Sequence, residues 1–151
     1  MTPIVVEVGC KTAGVAVGVH DIGPVALQLM EERLTVAELI RRTVEEQVRE
    51  LLVRRKLAAD QARQLLDRQY LTEKEIARQA EHGAVRYPSG RVRQEPPIDP
   101  AAEVWKALRG FENGSYLILI DGRRMERLEE TIDFAPGVQV TFLRVMPLMG
   151  G

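Results

Sequence analysis

Apolar residues recur along this chain in two rhythms, and the change from one to the other marks its elements. Ile4-Val5-Val6-Glu7-Val8 and Val25-Ala26-Leu27-Gln28-Leu29-Met30 carry the short, β-rich runs of strands. Between them lies a Gly- and Val-rich stretch from Gly9 to Gly23, in which Val15–Val19 either extends a hairpin or adds a short strand. The rhythm then becomes helical. Thr35 with Glu38 three residues on has the spacing of a capping box, and Val36, Leu39, Ile40, Val44, Val48, Leu51 and Leu52 form one apolar stripe behind it. Leu57, Ala62, Leu65, Leu66 and Tyr70 continue at helical spacing, and Thr72 with Glu75 repeats the capping-box spacing and starts a further short helix that runs through Ile76 to about Glu81.

The stretch Gly83–Ile98 has no apolar period and contains Pro88, Gly90, Pro96 and Pro97, which predicts an irregular, mobile loop. Asp99-Pro100 supplies an N-cap residue followed by proline at the first helical position, where its missing N–H costs nothing. A helix over Ala101–Arg109 is predicted from this start, with Val104, Trp105 and Leu108 on its buried side and Gly110 placed to stop it. Tyr116–Ile120 is an apolar β run, Asp121-Gly122 is a two-residue hairpin signal, and Arg123–Leu128 returns from it. Ala135-Pro136-Gly137 turns the chain into a last β run, Val138–Met146. An apolar tail, Met146-Pro147-Leu148-Met149, leads to Gly150-Gly151. No internal repeat is visible.

The segment LILIDGRRMERLEETIDFAPGVQVTFLRVMPLMGG resembles the ubiquitin-like β-grasp family, and most of all its prokaryotic sulfur-carrier branch, the small subunit of molybdopterin synthase and the thiamine sulfur carrier. The shared features are a strand, an Asp-Gly turn, a strand, a turn around Pro-Gly, then V-x-F-x-x-x-P and a diglycine. The resemblance is clear over roughly the last third and weaker over the first third, and the middle does not match. It implies an α+β fold, a ubiquitin-like β-grasp mixed sheet packed on a helix. The chain is then a single β-grasp domain over 1–151, with residues 53–98 as an inserted helical subdomain and loop.

The resemblance also implies a function centred on Gly151 and Gly150. A partner enzyme uses ATP to adenylate the terminal carboxylate, since a carboxylate is a poor electrophile and AMP leaves readily. The chain is then no enzyme and binds no cofactor itself; ATP belongs to the activating partner. Glycines suit this role because two residues without Cβ thread a narrow cleft in almost any backbone conformation. The first expectation is a ubiquitin-like protein modifier of a bacterial conjugation pathway, joined to target amines. Its expected partners are an activating enzyme, a transfer enzyme and a deconjugating metallopeptidase. The second is a sulfur carrier bearing a terminal thiocarboxylate for cofactor or tRNA thiolation. A third is a non-covalent β-grasp binding module. In the two covalent readings the apolar tail Met146, Pro147, Leu148 and Met149 fits a partner groove; most side chains of the last strands read as structural core, and Leu143 or Val145 exposed beside Ile118 or Ile120 would mark a docking patch there.

Composition narrows the alternatives. A formal charge of −1 removes a global electrostatic case for nucleic acid or an anionic membrane. The small basic loop of Arg86, Tyr87, Arg91 and Arg93, with Glu95 and Asp99 nearby, reads as a solvated cluster. No apolar run approaches transmembrane length, Pro3–Val8 reads as strand and not as a signal peptide, and a lone cysteine excludes an internal disulfide, so a cytoplasmic setting is expected. Lys11 beside Cys10 is the one feature that could activate that thiol, and a buried, idle thiol is the plainer reading. His20 and His82 have no ligand-spaced neighbours, so no metal is expected, and the pairs Glu31-Glu32 and Glu129-Glu130 sit at turns.

Overall fold

The computed structural model describes residues 3–12, 22–83 and 97–144, which form a mixed α+β structure: one five-stranded sheet, one two-stranded ladder and four α-helices. Strand β1 (Ile4–Thr12) pairs antiparallel with β2 (Val25–Leu29) and parallel with β7 (Val140–Arg144). On its far side β7 runs antiparallel to β4 (Tyr116–Ile120), which makes a hairpin with β5 (Arg123–Met125). The order is therefore β2-β1-β7-β4-β5, with the first and last strands side by side in the middle. Strands β3 (Arg33–Thr35) and β6 (Thr131–Asp133) form a separate ladder that the hydrophobic pattern does not reveal, because three residues carry too little periodicity.

The turns follow from local chemistry. Asp121 (φ 50) and Gly122 (φ 83) both take positive φ, the type I′ geometry whose twist matches that of the flanking strands. Gly137 (φ 87) follows Pro136, and the Val138 N–H donates to the Ala135 carbonyl at 3.1 Å, closing the turn into β7. The return strand β5 ends at Met125, sooner than the Leu128 expected, and β7 begins at Val140.

Helix α1 (Val36–Arg49) lies across the sheet and buries Val36, Leu39, Ile40, Val44 and Val48 against it. Fully burying each of these side chains contributes about 2 kcal/mol. Its start is as expected at Thr35, whose Oγ1 accepts from Glu38 N at 3.2 Å, but the box does not close. The Glu38 carboxylate instead pairs with Arg41 and Arg42, and these guanidinium hydrogen bonds, Arg41 first, lower its pKa. The Val36 and Ala37 amides donate to the Glu130 and Leu128 carbonyls at 2.9 and 3.0 Å, so the loop before β6 completes the cap.

A π-helical turn (Glu50–Arg54) and Lys56 at φ 54 redirect the chain into α2 (Ala59–Tyr70). Helix α3 (Glu73–Gly83) opens with the predicted box in full: Glu75 N donates to Thr72 Oγ1 at 3.2 Å, and Thr72 N to Glu75 Oε1 at 3.0 Å. Helix α4 (Pro100–Glu112) begins at Asp99, whose Oδ1 accepts from Ala101 N at 3.1 Å. It packs on α1 and α2, and Ala62, Leu66 and Tyr70 of α2 join the same apolar core as the sheet.

Two expectations for α4 are corrected. Gly110 does not stop it: the helix continues to Glu112, and Gly114 (φ 77) ends it, with Ser115 N on the Gly110 carbonyl at 2.9 Å and Gly114 N on the Phe111 carbonyl at 3.1 Å. Gly110 is needed for close approach, since a Cβ there would run into the Tyr70 carbonyl oxygen. Trp105 is not on the buried side either; it is 61% exposed. The face turned inward carries Glu103, Val104, Ala107, Gly110 and Phe111, whose small residues let α2 come close.

That approach sinks charges between the helices. Lys106 Nζ lies 3.0 Å from Asp67 and 3.3 Å from Glu103, and Glu103 is only 4% exposed. Burial raises the Glu103 pKa above its ordinary 4.5, with Lys106 pulling the other way. A carboxyl raised on folding supports the folded state below its unfolded value, and that support fades as pH climbs through the folded value. Glu103→Gln is therefore expected to remove part of the stability decline above pH 4.5. Urea midpoints of both proteins across pH 4–7 check this; parallel curves would contradict it.

Candidate functional site

The parallel pairing of β1 and β7 sets the geometry of the region that the sequence points to. Val8–Thr12 pairs residue for residue with Val140–Arg144, so β7 is hydrogen-bonded on both sides and runs through the middle of the sheet to Arg144. The expected conjugation residues Gly150 and Gly151, the tail residues Met146, Pro147, Leu148 and Met149, and Val145 lie outside the described residues.

The expected docking patch is corrected by the register. Ile118 stands opposite Phe142 and Ile120 opposite Val140, and residues directly opposite in an antiparallel pair share a face. All four point into the core, with Ile118 and Phe142 fully buried. Leu143 stands opposite Leu117 on the other face, where Leu119 and Thr141 form the next pair. All four of these are partly exposed. Tyr116–Ile120 is apolar at every position, so its pattern could not say which alternate set faces out. Across the sheet, Lys11 lies beside Leu143, Gly9 beside Thr141 and Arg124 beside Leu119, so the outward surface is an apolar strip with basic ends.

The same alternation separates Cys10 from Lys11. Cys10 is buried on the core face and accepts a hydrogen bond from Gln47 Nε2 at 3.1 Å, while Lys11 is exposed on the other side. Gln47 Oε1 accepts from the Tyr70 hydroxyl, whose pKa burial pushes well up, and the Tyr116 hydroxyl donates to the Ala107 carbonyl at 2.6 Å. Thr43 Oγ1, one turn earlier on α1, has no partner. These polar groups tie α1, α2 and α4 to the sheet.

A second feature, not foreseen, is a groove of about 410 Å³ between α3 and α4, lined by Leu71, Arg78, Trp105, Arg109 and their neighbours. The Arg109 guanidinium sits over the Trp105 ring, 5.5 Å from its centroid. The signal available in sequence was the (i, i+4) Trp–Arg pair on a predicted helix.

Among the described residues, no group of three or more His, Cys, Asp or Glu side chains is placed to hold a metal ion, and no helix is long and apolar enough to cross a membrane. His20 and the basic residues Arg86, Arg91 and Arg93 lie outside the described residues, as does the His82 side chain. Comparison of the chain with protein-family models, with curated proteins and with solved structures finds no match in any of the three.

Proposed function

We propose that this chain is a ubiquitin-like β-grasp modifier whose Gly151 carboxylate is activated by a partner enzyme and transferred to amines of target proteins. The observation that carries the reading is the central parallel pair: β7 lies between β1 and β4, with a hairpin on either flank and α1 across one face. This is a mixed sheet holding a helix, and its central strand leads into the segment that ends in diglycine. The seven residues after Arg144 reach at most about 25 Å when extended, enough to enter another protein's cleft while the folded body stays outside it.

In the proposed chemistry the Gly151 carboxylate oxygen attacks the α-phosphorus of ATP and expels pyrophosphate. The acyl-adenylate carbonyl is then attacked by a thiolate of the conjugating machinery, with AMP leaving; a target amine attacks the resulting thioester, the C–S bond breaks, and the released thiolate takes up the proton that the amine loses. The chain supplies the electrophile, and the activating enzyme, transfer enzyme and deconjugating metallopeptidase are the partners this requires. If a sulfur donor attacks the adenylate instead, the product is a thiocarboxylate and the chain is a sulfur carrier.

Expression of the tagged chain in its native host, with and without Gly150-Gly151, tests the reading. The intact chain is expected to yield covalent adducts in denaturing pull-downs, all lost on deletion. Trypsin cuts after Arg144, so conjugated lysines are expected to keep the remnant Val145–Gly151. Intact mass read in the same preparation separates the alternatives. A shift equal to exchange of one oxygen for sulfur assigns the carrier role, and a chain with neither adduct nor exchange, equally active without its glycines, retires both covalent readings in favour of a binding module.

A further inference from the structure

The α3–α4 groove combines an exposed indole with two guanidinium groups, those of Arg78 and Arg109, that make no ion pair among the described residues. Trp105 is 61% exposed, although a large aromatic ring is costly to leave in water. Around it, Glu75 is fully engaged: its carboxylate accepts from Ser115 Oγ at 2.6 Å, from Thr72 N and Oγ1 at 3.0 Å each, and from Asn113 Nδ2 at 3.4 Å. Burial pushes the Glu75 pKa up, but these hydrogen bonds together outweigh it and the net shift is downward, so the carboxylate is held charged and turned to its own neighbours. Lys106 is likewise spent on Asp67 and Glu103. Arg78 and Arg109 make no ion pair among the described residues.

The cleft beside β2 shows what a compensated site in this protein looks like. Its cations Arg42, Arg49 and Arg54 all pair with Glu31, Glu38, Glu46 or Glu50. Of these two clefts, as the described residues line them, the groove at Trp105 is the one that sets guanidinium groups without an ion pair beside an exposed ring. We propose that this groove docks an acidic segment of a partner protein, with one apolar side chain against Trp105 and Leu71 and flanking carboxylates on Arg78 and Arg109. A carboxylate suits the planar fork of each guanidinium, and a negative segment offsets the excess of these two cations over the single Glu75 carboxylate that shares the groove. One face of the indole is covered by Arg109, which leaves a peptide better accommodated than a base that must be sandwiched. The inference does not depend on the glycine tail.

Trp105 is the only tryptophan in the chain, so its emission reports this groove directly. The full chain is titrated with the blocked peptide Glu-Glu-Leu-Glu-Glu-Leu, with its Lys-for-Glu counterpart and with ATP. The acidic peptide is expected to give a saturable change that salt weakens, and the basic peptide none. Arg78→Glu, on the facing helix and exposed, is expected to weaken half-saturation at least about tenfold with an unchanged circular dichroism spectrum. Arg109→Glu is expected to do the same. Equal response to both peptides, no response to the acidic one, or binding by both variants as tight as the parent overturns the proposal. A response to ATP alone overturns it too, and assigns the groove to a nucleotide. Repeating the titration without Gly150-Gly151 is expected to leave it unchanged, which keeps this result apart from the fate of the conjugation reading.

Discussion

Gly110→Ala is expected to destabilise the chain by about 3 kcal/mol, the upper part of the range for overpacking a tight contact. The sign is what makes this informative. At an open position inside a helix, glycine to alanine stabilises by roughly 1 kcal/mol, because alanine loses less backbone entropy on folding. Gly110 lies inside α4, but its missing Cβ makes room for the carbonyl of Tyr70 at the end of α2, and a methyl group there meets backbone, which cannot swing aside. The added strain outweighs the propensity gain, and the two helices must separate. Urea unfolding followed by circular dichroism measures the change. A variant as stable as the parent, or more so, would show that α2 and α4 are not packed this closely. Gly114→Ala is the control for the helix end: its positive φ has nothing within contact of a new Cβ, so the cost is the backbone term alone, about 1 kcal/mol.

Phe142→Ala is expected to cost about 4 kcal/mol, as for other fully buried aromatic side chains. Phe142 is inaccessible to solvent, with the Tyr70 and Tyr116 rings at 6.2 and 5.8 Å and Ile118 directly opposite on β4. Removing the ring leaves a cavity where the sheet, α2 and the central strand meet. Since small domains hold together by only about 5–15 kcal/mol, the variant should populate unfolded chain under mild denaturant. Leu143→Ala, one residue along on the outward face, is expected to cost about half as much, roughly 2 kcal/mol, since that side chain is only partly buried. The contrast tests the register of β7 itself. Comparable losses at 142 and 143 would mean that the strand faces are assigned wrongly, and with them the outward strip of Leu117, Leu119 and Leu143.

The candidate site was legible in sequence only along the chain. Thr35, Thr72 and Asp99 each announce a helix start, because the cap needs a short oxygen-bearing side chain a few bonds from the amide it serves. Asp121-Gly122 and Pro136-Gly137 announce turns for the same local reason, as their backbone dihedrals favour the geometry found. Stripe positions on α1 were readable as well, since helical period and burial coincide there. Ile118 and Ile120 went to the core instead of the surface because an unbroken apolar strand has no visible parity. Only the pairing with Phe142 and Val140 on β7 selects a face.

Two residues of α4 make the division plain. Trp105 looks like a core residue from its chemistry, and Gly110 looks like a helix stop from its flexibility. The sequence by itself determined where helices start, where the chain reverses, and that a strand leads into an apolar tail and diglycine; each rests on interactions within a few residues. Tertiary structure alone decided that α2 lies across Gly110, that Trp105 is left outside beside Arg78, and that β7 sits in the middle of the sheet parallel to β1. Those outcomes depend on which distant surfaces meet, and the gain from burying one face of a helix or strand depends on the partner that covers it.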